Sequence, residues 1–448
     1  MPSDPTPSSA GTRAVLPIGH RLDATVTVPG SKSLTNRALV CAALAAGRST
    51  IDGALVADDS MAMRTALGTL GAGIDHDEAT GRLTVTGTGG RLRPGPAALD
   101  MQLSGTTSRF LLPVVALGEG AYRVDGGDPL RRRPMGPVLD AIRALGATVE
   151  HHGEPGHLPV TIVAPGGLAG GEVAVAGDTS SQFLSGLLLA APYTRDGVRL
   201  TVTTRLVSRP FVELTASVMG TFGVDVVDEG DRPGAGPVLR VPPAAYRASA
   251  YTVEPDASTA SYFLAAAAIV GGRVTVEGLG AGSGQGDARF GDVLAAMGAR
   301  VERTATTTTV VGTGELRGLG DVDMSDMPDM AQTLAAVAVF ADSPTRVTGV
   351  ELIRWHETDR IAAVVAEMRR AGIVADEERA GFVIHPGAPR PARIETYDDH
   401  RMAMSFALLG LRSPGIEIVD ADCVGKTFPG FWRALDRLRT TGARPAGQ

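Results

Sequence analysis

The stretch Leu70-Gly71-Ala72-Gly73-Ile74 ends an amphipathic pattern, and its outline returns five more times. The copies are Leu145-Gly146-Ala147-Thr148-Val149, Phe222-Gly223-Val224, Met297-Gly298-Ala299-Arg300-Val301, Ala371-Gly372-Ile373-Val374 and, more weakly, Thr441-Gly442-Ala443. Successive glycines stand 70 to 77 residues apart, so six copies of one unit fill nearly the whole chain. Each glycine follows apolar residues at helical spacing, as in Val138, Ile142 and Leu145 or Ile361, Val364, Val365 and Met368. This predicts a helix with one wet face, closed by a glycine C-cap and followed by a strand.

A second kind of helix comes earlier in each unit, after a short strand and a polar turn. Its six starts are SKSLTNRALVCAAL from Ser31, SGTTSRFLLPVVAL from Ser104, DTSSQFLSGLLLAA from Asp178, DASTASYFLAAAAI from Asp256, SDMPDMAQTLAAVAVF from Ser325 and DDHRMAMSFALLGL from Asp398. Past the first turn each is apolar or small nearly all round, which places it inside a core. The unit therefore reads strand, buried helix, strand, amphipathic helix, strands, and six units divide into two domains of three. A boundary is expected near Pro242 to Ala250, after the third unit.

Polar and charged residues crowd the first turn of every buried helix, although a cap needs only one hydroxyl or carboxylate. Pro29-Gly30-Ser31-Lys32-Ser33-Leu34-Thr35-Asn36-Arg37 shows this most clearly, with a lysine and hydroxyls at a helix start and Ser33 and Arg37 on one face. Helix N-termini carry unsatisfied N–H groups and the positive end of the dipole, so this is an anion site in outline.

Composition narrows the classes. With 448 residues, two or three domains with sizeable cores are possible, and a net charge of -7 argues against a general nucleic-acid binder. Any anionic ligand must be met by local cations. The longest apolar runs, Phe263 to Val270 and Leu334 to Ala341, are too short to span a membrane. Cys41 and Cys423 show neither metal nor redox spacing, which fits a reducing, cytoplasmic compartment. Residues 1–13 read as a disordered tail without the apolar region of a secretory signal.

Several motifs mislead. Gly425-Lys426-Thr427 has Asp420 where a P-loop needs its first glycine, and Pro429 interrupts the following helix. Gly278 to Gly286 lacks dinucleotide-binding spacing, and Trp355-His356-Glu357-Thr358-Asp359-Arg360 lacks the second histidine of a zinc helix, so neither a cofactor nor a metal is expected. Scattered cations remain. Arg109, Arg131 and Arg132 read at least as well as solvated surface, whereas Lys32, Arg37, Arg133, Arg360, Arg401 and Lys426 lie beside glycine-rich turns, helix starts or carboxylate-bearing motifs. Asp329, Glu357 and Asp399 are interspersed among them. Asp359 and Asp399 read best as ion-paired structural carboxylates. Many cations with one or two spare carboxylates suit acid–base chemistry on a small phosphorylated, carboxylated molecule.

Taken in order, PGSKSLTNRAL, SGTTSRF, SSQF (Ser180 to Phe183), VSRPF (Val207 to Phe211), DMPDMAQT, HETDR, DDHRMAM and GKTFPGF resemble the enolpyruvyl transferases, closely so in their shikimate 3-phosphate branch, from about Leu16 to Arg439. The resemblance implies a two-domain inside-out α/β barrel. Each domain would hold three βαβαββ repeats, with helices inside, sheets outside and ligands in the interdomain cleft. Residues 30–247 would form the N-terminal-type domain, and 14–29 plus 248–448 the C-terminal-type domain. It implies transfer of the enolpyruvyl group of phosphoenolpyruvate to the 5-hydroxyl of shikimate 3-phosphate through a tetrahedral adduct, with release of phosphate. This is a step of the shikimate pathway toward chorismate and the aromatic amino acids.

By the same resemblance, shikimate 3-phosphate would be held by Lys32, Ser33, Arg37, Ser180, Ser181, Gln182, Ser208, Asp329 and His356. Phosphoenolpyruvate would be held by Lys32, Gly105, Arg133, Gln182, Arg360, Arg401 and Lys426. Asp329 is the expected base at the hydroxyl, Glu357 the acid at C3 and Lys32 a proton-handling, charge-stabilising partner. Glycine at 105 would let the small substrate approach closely. Leu352, His356, Phe211 and Leu103 stand where the family often has Asn, Lys, Tyr and Asn, which should tune affinity. The sister enzyme acting on UDP-N-acetylglucosamine is the nearest alternative. It generally uses a loop cysteine, and neither cysteine here lies near Gly126 to Arg133. A non-catalytic anion-binding scaffold is the third reading. No nucleic acid, membrane or cofactor partner is expected, and the chain should be a monomer.

Overall fold

The computed structural model describes residues 11–440. The expected sixth glycine, Gly442, and the first ten residues of the expected tail lie outside them. The end of that tail is ordered differently from the expectation, because Arg13–Val15 is a strand paired antiparallel with Ile416–Ile418.

Six small sheets repeat one design: a parallel pair of strands extended by antiparallel ones. In one full unit, Ala97–Asp100 pairs parallel with Glu119–Asp125, which pairs antiparallel with Val160–Pro165, itself flanked by Thr148–His151. Helices Gly105–Val115 and Gly136–Ala144 fill the two crossovers, giving strand–helix–strand–helix–strand–strand. Alternating burial along strands such as Val160–Pro165 and Val198–Val202 shows sheets with one face on a core.

Three sheets complete themselves with distant strands. Ala250–Thr252 joins Thr50–Asp52 in parallel, Leu22–Val26 joins Gly272–Val276 in parallel, and Arg13–Val15 closes the last, three-stranded sheet. The described chain accordingly divides into two compact units, one of residues 29–256 with 284–286, the other of the remainder. The first extends through Asp256 rather than ending at 247, because Ala250–Thr252 belongs to its sheet and the Asp256 N–H donates to Pro29 O at 2.8 Å.

The two helix classes separate as their patterns require. Every residue of the helices Gly105–Val115 and His400–Gly410 is buried, as is Leu34 to Leu44 of Lys32–Leu44. The amphipathic helices keep a wet face, and Gly71, Gly146, Gly223, Gly298 and Gly372 follow them at φ between 77° and 112°, where only glycine is unstrained. In the unit holding the C-terminal half of the chain, Ser261, Thr333 and Ser405 link three buried helices through hydroxyl contacts of 3.4 Å, each 72 residues from the next. The repeat has become a threefold meeting of helices. In the other unit the buried cation Arg37 reaches Ser185, 148 residues or two repeats away, at 3.2 Å.

Candidate active site

The buried helices bring their polar starts to the ends of the two cores, and each unit is built from different chemistry there. In the unit holding Lys32, serine caps recur. Ser31, Ser104 and Ser180 each accept a hydrogen bond from a backbone N–H of their own helix's first turn, at 3.4, 3.2 and 3.3 Å. Lys32 follows the first cap, where its Nζ lies 3.1 Å from Asp59 Oδ2 and its N–H donates to Asp256 Oδ2 at 3.2 Å. Neither carboxylate is legible in the sequence as a partner of Lys32: Asp59 lies at the start of the next helix, and Asp256 opens the buried helix of the fourth repeat.

Arg37 sits one turn deeper and is only 2 % exposed. It donates to Thr215 Oγ1 (2.8 Å), Ser185 Oγ (3.2 Å), Ser33 O (2.9 Å) and Phe211 O (2.9 Å), two hydroxyls and two carbonyls. Its guanidinium stacks near the rings of Phe110 and Phe211. Burial without a carboxylate partner lowers its pKa to about 9, so it remains cationic at neutral pH. This is a positive centre solvated by dipoles alone, one turn below Ser33.

Arg109, expected to be as consistent with solvated surface as with a site, is instead buried. Its Nη1 donates to Gln182 Oε1 at 2.9 Å and its guanidinium lies over Phe183. Period alone could not reveal this, because Arg109 occupies a position on a helix buried all round. Arg131 conforms to the surface reading, exposed and paired with Asp125 and Asp128. Arg133 is buried and leans on Gly105: a Cβ at Gly105 would stand 2.6 Å from Arg133 Nη1. Glycine there makes room first for a protein guanidinium.

Ser208 carries the clearest backbone signal. It precedes the helix Arg209–Thr221 at φ 55°, ψ 38°, left-handed for a non-glycine residue, and its side chain makes no capping bond. Ser208→Gly is expected to leave stability between unchanged and about 1 kcal/mol higher, relieved strain being partly offset by unfolded-chain entropy. It should weaken binding of a phosphate-bearing ligand. Urea unfolding beside ligand titration checks both halves; tighter or unchanged ligand binding would remove Ser208 from the site.

The other unit concentrates carboxylates and cations around one side chain. Arg360, 1 % exposed, opens the helix Arg360–Arg370 and commits all five N–H donors. Nε and Nη2 donate to Asp399 Oδ2 and Oδ1 (2.7 and 3.2 Å), Nη2 also to Glu357 Oε2 (2.8 Å), and Nη1 to Asp329 Oδ1 (2.8 Å) and His356 Nδ1 (2.9 Å). Since a guanidinium only donates, His356 Nδ1 accepts and its ring proton is on Nε2. Burial alone would lower the Arg360 pKa, but Asp399, Glu357 and Asp329 outweigh it and hold it above the usual arginine range. Arg401 Nη2 donates to Asp329 Oδ2 at 3.0 Å, and Lys426 Nζ to Glu357 Oε1 at 2.9 Å. Burial, foremost, pushes the phenol of Tyr262 up to about 12, with the nearby Arg401 charge opposing it.

Asp329, Glu357, His356, Arg360, Arg401 and Lys426 thus form one connected cluster, and Asp399 is its buried anchor. Asp399 also accepts from Arg401 N at 2.9 Å as the cap of its helix. Asp359 caps Ala362 N at 3.1 Å and pairs with Arg354, which is the structural role expected of it. Lys32, Ser33, Arg37, Gly105, Arg133, Ser180, Ser181, Gln182 and Ser208 all belong to the other unit. Among the described residues, no group of three or more His, Cys, Asp or Glu is placed to hold a metal ion, and no helix is long and apolar enough to cross a membrane.

Comparison with known proteins matches the chain to one family. The model of EPSP synthase (3-phosphoshikimate 1-carboxyvinyltransferase) covers residues 16–435. The 3-phosphoshikimate 1-carboxyvinyltransferase of Nostoc punctiforme is 46% identical over 418 residues, 93% of this chain and 96% of that protein. That of Methanosphaerula palustris is 43% identical, over 92% of this chain and 96% of its own. Among solved structures, EPSP synthase from Acinetobacter baumannii superposes with a TM-score of 0.79 at 28% identity, covering 95% of this chain and 98% of that one. The enolpyruvyl transferase NikO from Streptomyces tendae, at 19% identity and a TM-score of 0.76 over 96% of this chain and 97% of its own, shares the fold. With a family model matched over nearly its whole length and curated relatives above 40% identity, the chain belongs to the EPSP synthase family.

Proposed function

We propose that this chain transfers the enolpyruvyl group of phosphoenolpyruvate to the 5-hydroxyl of shikimate 3-phosphate and releases phosphate. The observation that carries the reading is the Arg360 cluster. One guanidinium donates at 2.8 Å to both Asp329 and Glu357, the two groups proposed here as base and acid. The hydroxyl must lose a proton and phosphoenolpyruvate C3 must gain one to give the tetrahedral adduct. Proton return from C3 and loss of the phosphate C–O bond then yield the enol ether and inorganic phosphate. Asp329 is the proposed base at the hydroxyl and Glu357 the proposed acid at C3, with Lys32 stabilising charge.

All five Arg360 donors are engaged, so an anionic ligand gains Arg360 only by exchange with a protein acceptor. Phosphoenolpyruvate brings carboxylate and phosphate oxygens to Arg360, Arg401 and Lys426. It would draw those donors from Asp329 and Glu357 and leave both carboxylates freer to handle protons. In the other unit, Ser33, Arg37, Ser180, Ser181 and Ser208 are proposed for shikimate 3-phosphate, Gln182 for both substrates, and Gly105 and Arg133 for phosphoenolpyruvate.

The test is phosphate release from phosphoenolpyruvate with shikimate 3-phosphate or UDP-N-acetylglucosamine as acceptor. Release with only the former supports this reading. Release with only the latter supports the sister activity, and none with either supports a binding scaffold. Gly105→Ala gives a sharper check on Arg133. The new methyl displaces Arg133 Nη1, so the KM for phosphoenolpyruvate should rise roughly 10–100-fold with little change for shikimate 3-phosphate. A KM that stays put would mean Arg133 does not serve that substrate.

A further inference from the structure

Glu367 is completely buried on the helix Arg360–Arg370, seven residues or about 10 Å beyond Arg360, and takes no part in the chemistry above. Its Oε2 accepts from Glu395 N (3.0 Å) and Arg370 Nε (2.8 Å), and its Oε1 from Tyr397 Oη (2.8 Å). Burial and then the Glu367 carboxylate push the Tyr397 phenol up to about 12, so it stays a donor.

These bonds hold a strained turn. Asp399 N donates to Thr396 O at 2.9 Å, and the two central residues, Tyr397 and Asp398, stand at φ 56° and 57°. Positive φ at both central positions is hairpin-type geometry that prefers Asn and Gly and disfavours tyrosine. Beyond the turn, Asp399 pairs with Arg360 and caps Arg401 N. Residues 395–399 are therefore fastened to one helix at two places, by Glu367 and by Arg360, with the strained turn between.

We propose that Glu367, acting through Tyr397 and the Glu395 backbone, is a positioning residue. It holds the Thr396–Asp399 turn in its left-handed form and so sets Asp399 and Arg401 for the anionic substrate. This rests on the reading of Arg401 as a phosphoenolpyruvate ligand. An ion pair with Arg370 alone would stabilise the helix without needing the turn. The latch explains why two bonds of this buried carboxylate go to the segment before Asp399.

The test compares Tyr397→Phe, Tyr397→Asn and Glu367→Gln in the full chain, by steady-state kinetics and by amide hydrogen exchange of the segment 395–404. Phenylalanine loses the latch and keeps the strain, so the KM for phosphoenolpyruvate should rise about tenfold. The KM for shikimate 3-phosphate should hold within about twofold, and exchange at Asp399 should quicken. Glu367→Gln should do the same. Asparagine loses the hydroxyl but accepts left-handed geometry, so it should stay within about threefold of the parent chain. Unchanged exchange in Tyr397→Phe overturns the latch, as does a Tyr397→Asn chain impaired as much as Tyr397→Phe. Quickened exchange with an unmoved phosphoenolpyruvate KM overturns the positioning role and locates the fault in the assignment of Arg401. An equal rise in both KM values overturns it as general loss of structure.

Discussion

Asp329→Asn is expected to lower kcat by about 10²–10⁴-fold, the usual contribution of a positioned general base, while shikimate 3-phosphate still binds measurably. The substitution keeps the shape and one acceptor. It replaces the oxygen facing Arg360 Nη1 or the one facing Arg401 Nη2 by an amide donor, so one of the bonds at 2.8 and 3.0 Å is lost as well. Part of the effect therefore appears as weaker phosphoenolpyruvate binding. Single-turnover kinetics at saturating phosphoenolpyruvate separate that part from loss of proton transfer, and calorimetric titration with shikimate 3-phosphate shows that the site survives. Near-normal turnover at saturation would sink the assignment of Asp329 as base.

Arg360→Met is expected to cost about 3–5 kcal/mol of stability and to abolish detectable turnover. Removal of the guanidinium leaves Asp399, with no exposed surface, as an uncompensated buried charge beside Glu357 and Asp329. The double variant Arg360→Met, Asp399→Asn separates the two consequences. Asparagine keeps an oxygen to cap Arg401 N and carries no charge, so most of the stability should return, because removal of both partners of a buried pair is far milder than removal of one. Activity should not return, since nothing replaces the five donors. Urea unfolding beside the phosphate-release assay reads both. Recovery of turnover in the double variant would show that Arg360 serves the fold and not the reaction.

The repeats, the two helix classes and the glycine caps were legible because each is a local pattern. Period 3.6 with one apolar face, or with apolar residues all round, states which surfaces must leave water, and glycine states where the backbone turns left-handed. Most of the candidate site was legible too, through ordered motifs at the helix starts. What each charge does there was not. Arg109 reads at least as well as solvated surface as it does as a ligand group and is buried against Phe183 and Gln182, while Lys32 meets Asp59 and Asp256, which lie 27 and 224 residues away. Glu367, on a helix of amphipathic pattern, is buried and grips a turn 28 to 30 residues on.

By itself, then, the sequence determined six like units, which helix of each is interior, and the family to which its ordered motifs belong, because burial and backbone preference act over a few neighbouring residues. Only the tertiary structure decided which strands complete which sheet, that Arg37 is solvated by hydroxyls and carbonyls, and that Arg360 spends every donor on four partners. Those outcomes depend on distances between residues far apart in the chain. At such distances the energy of a charge is set by what else has been packed around it.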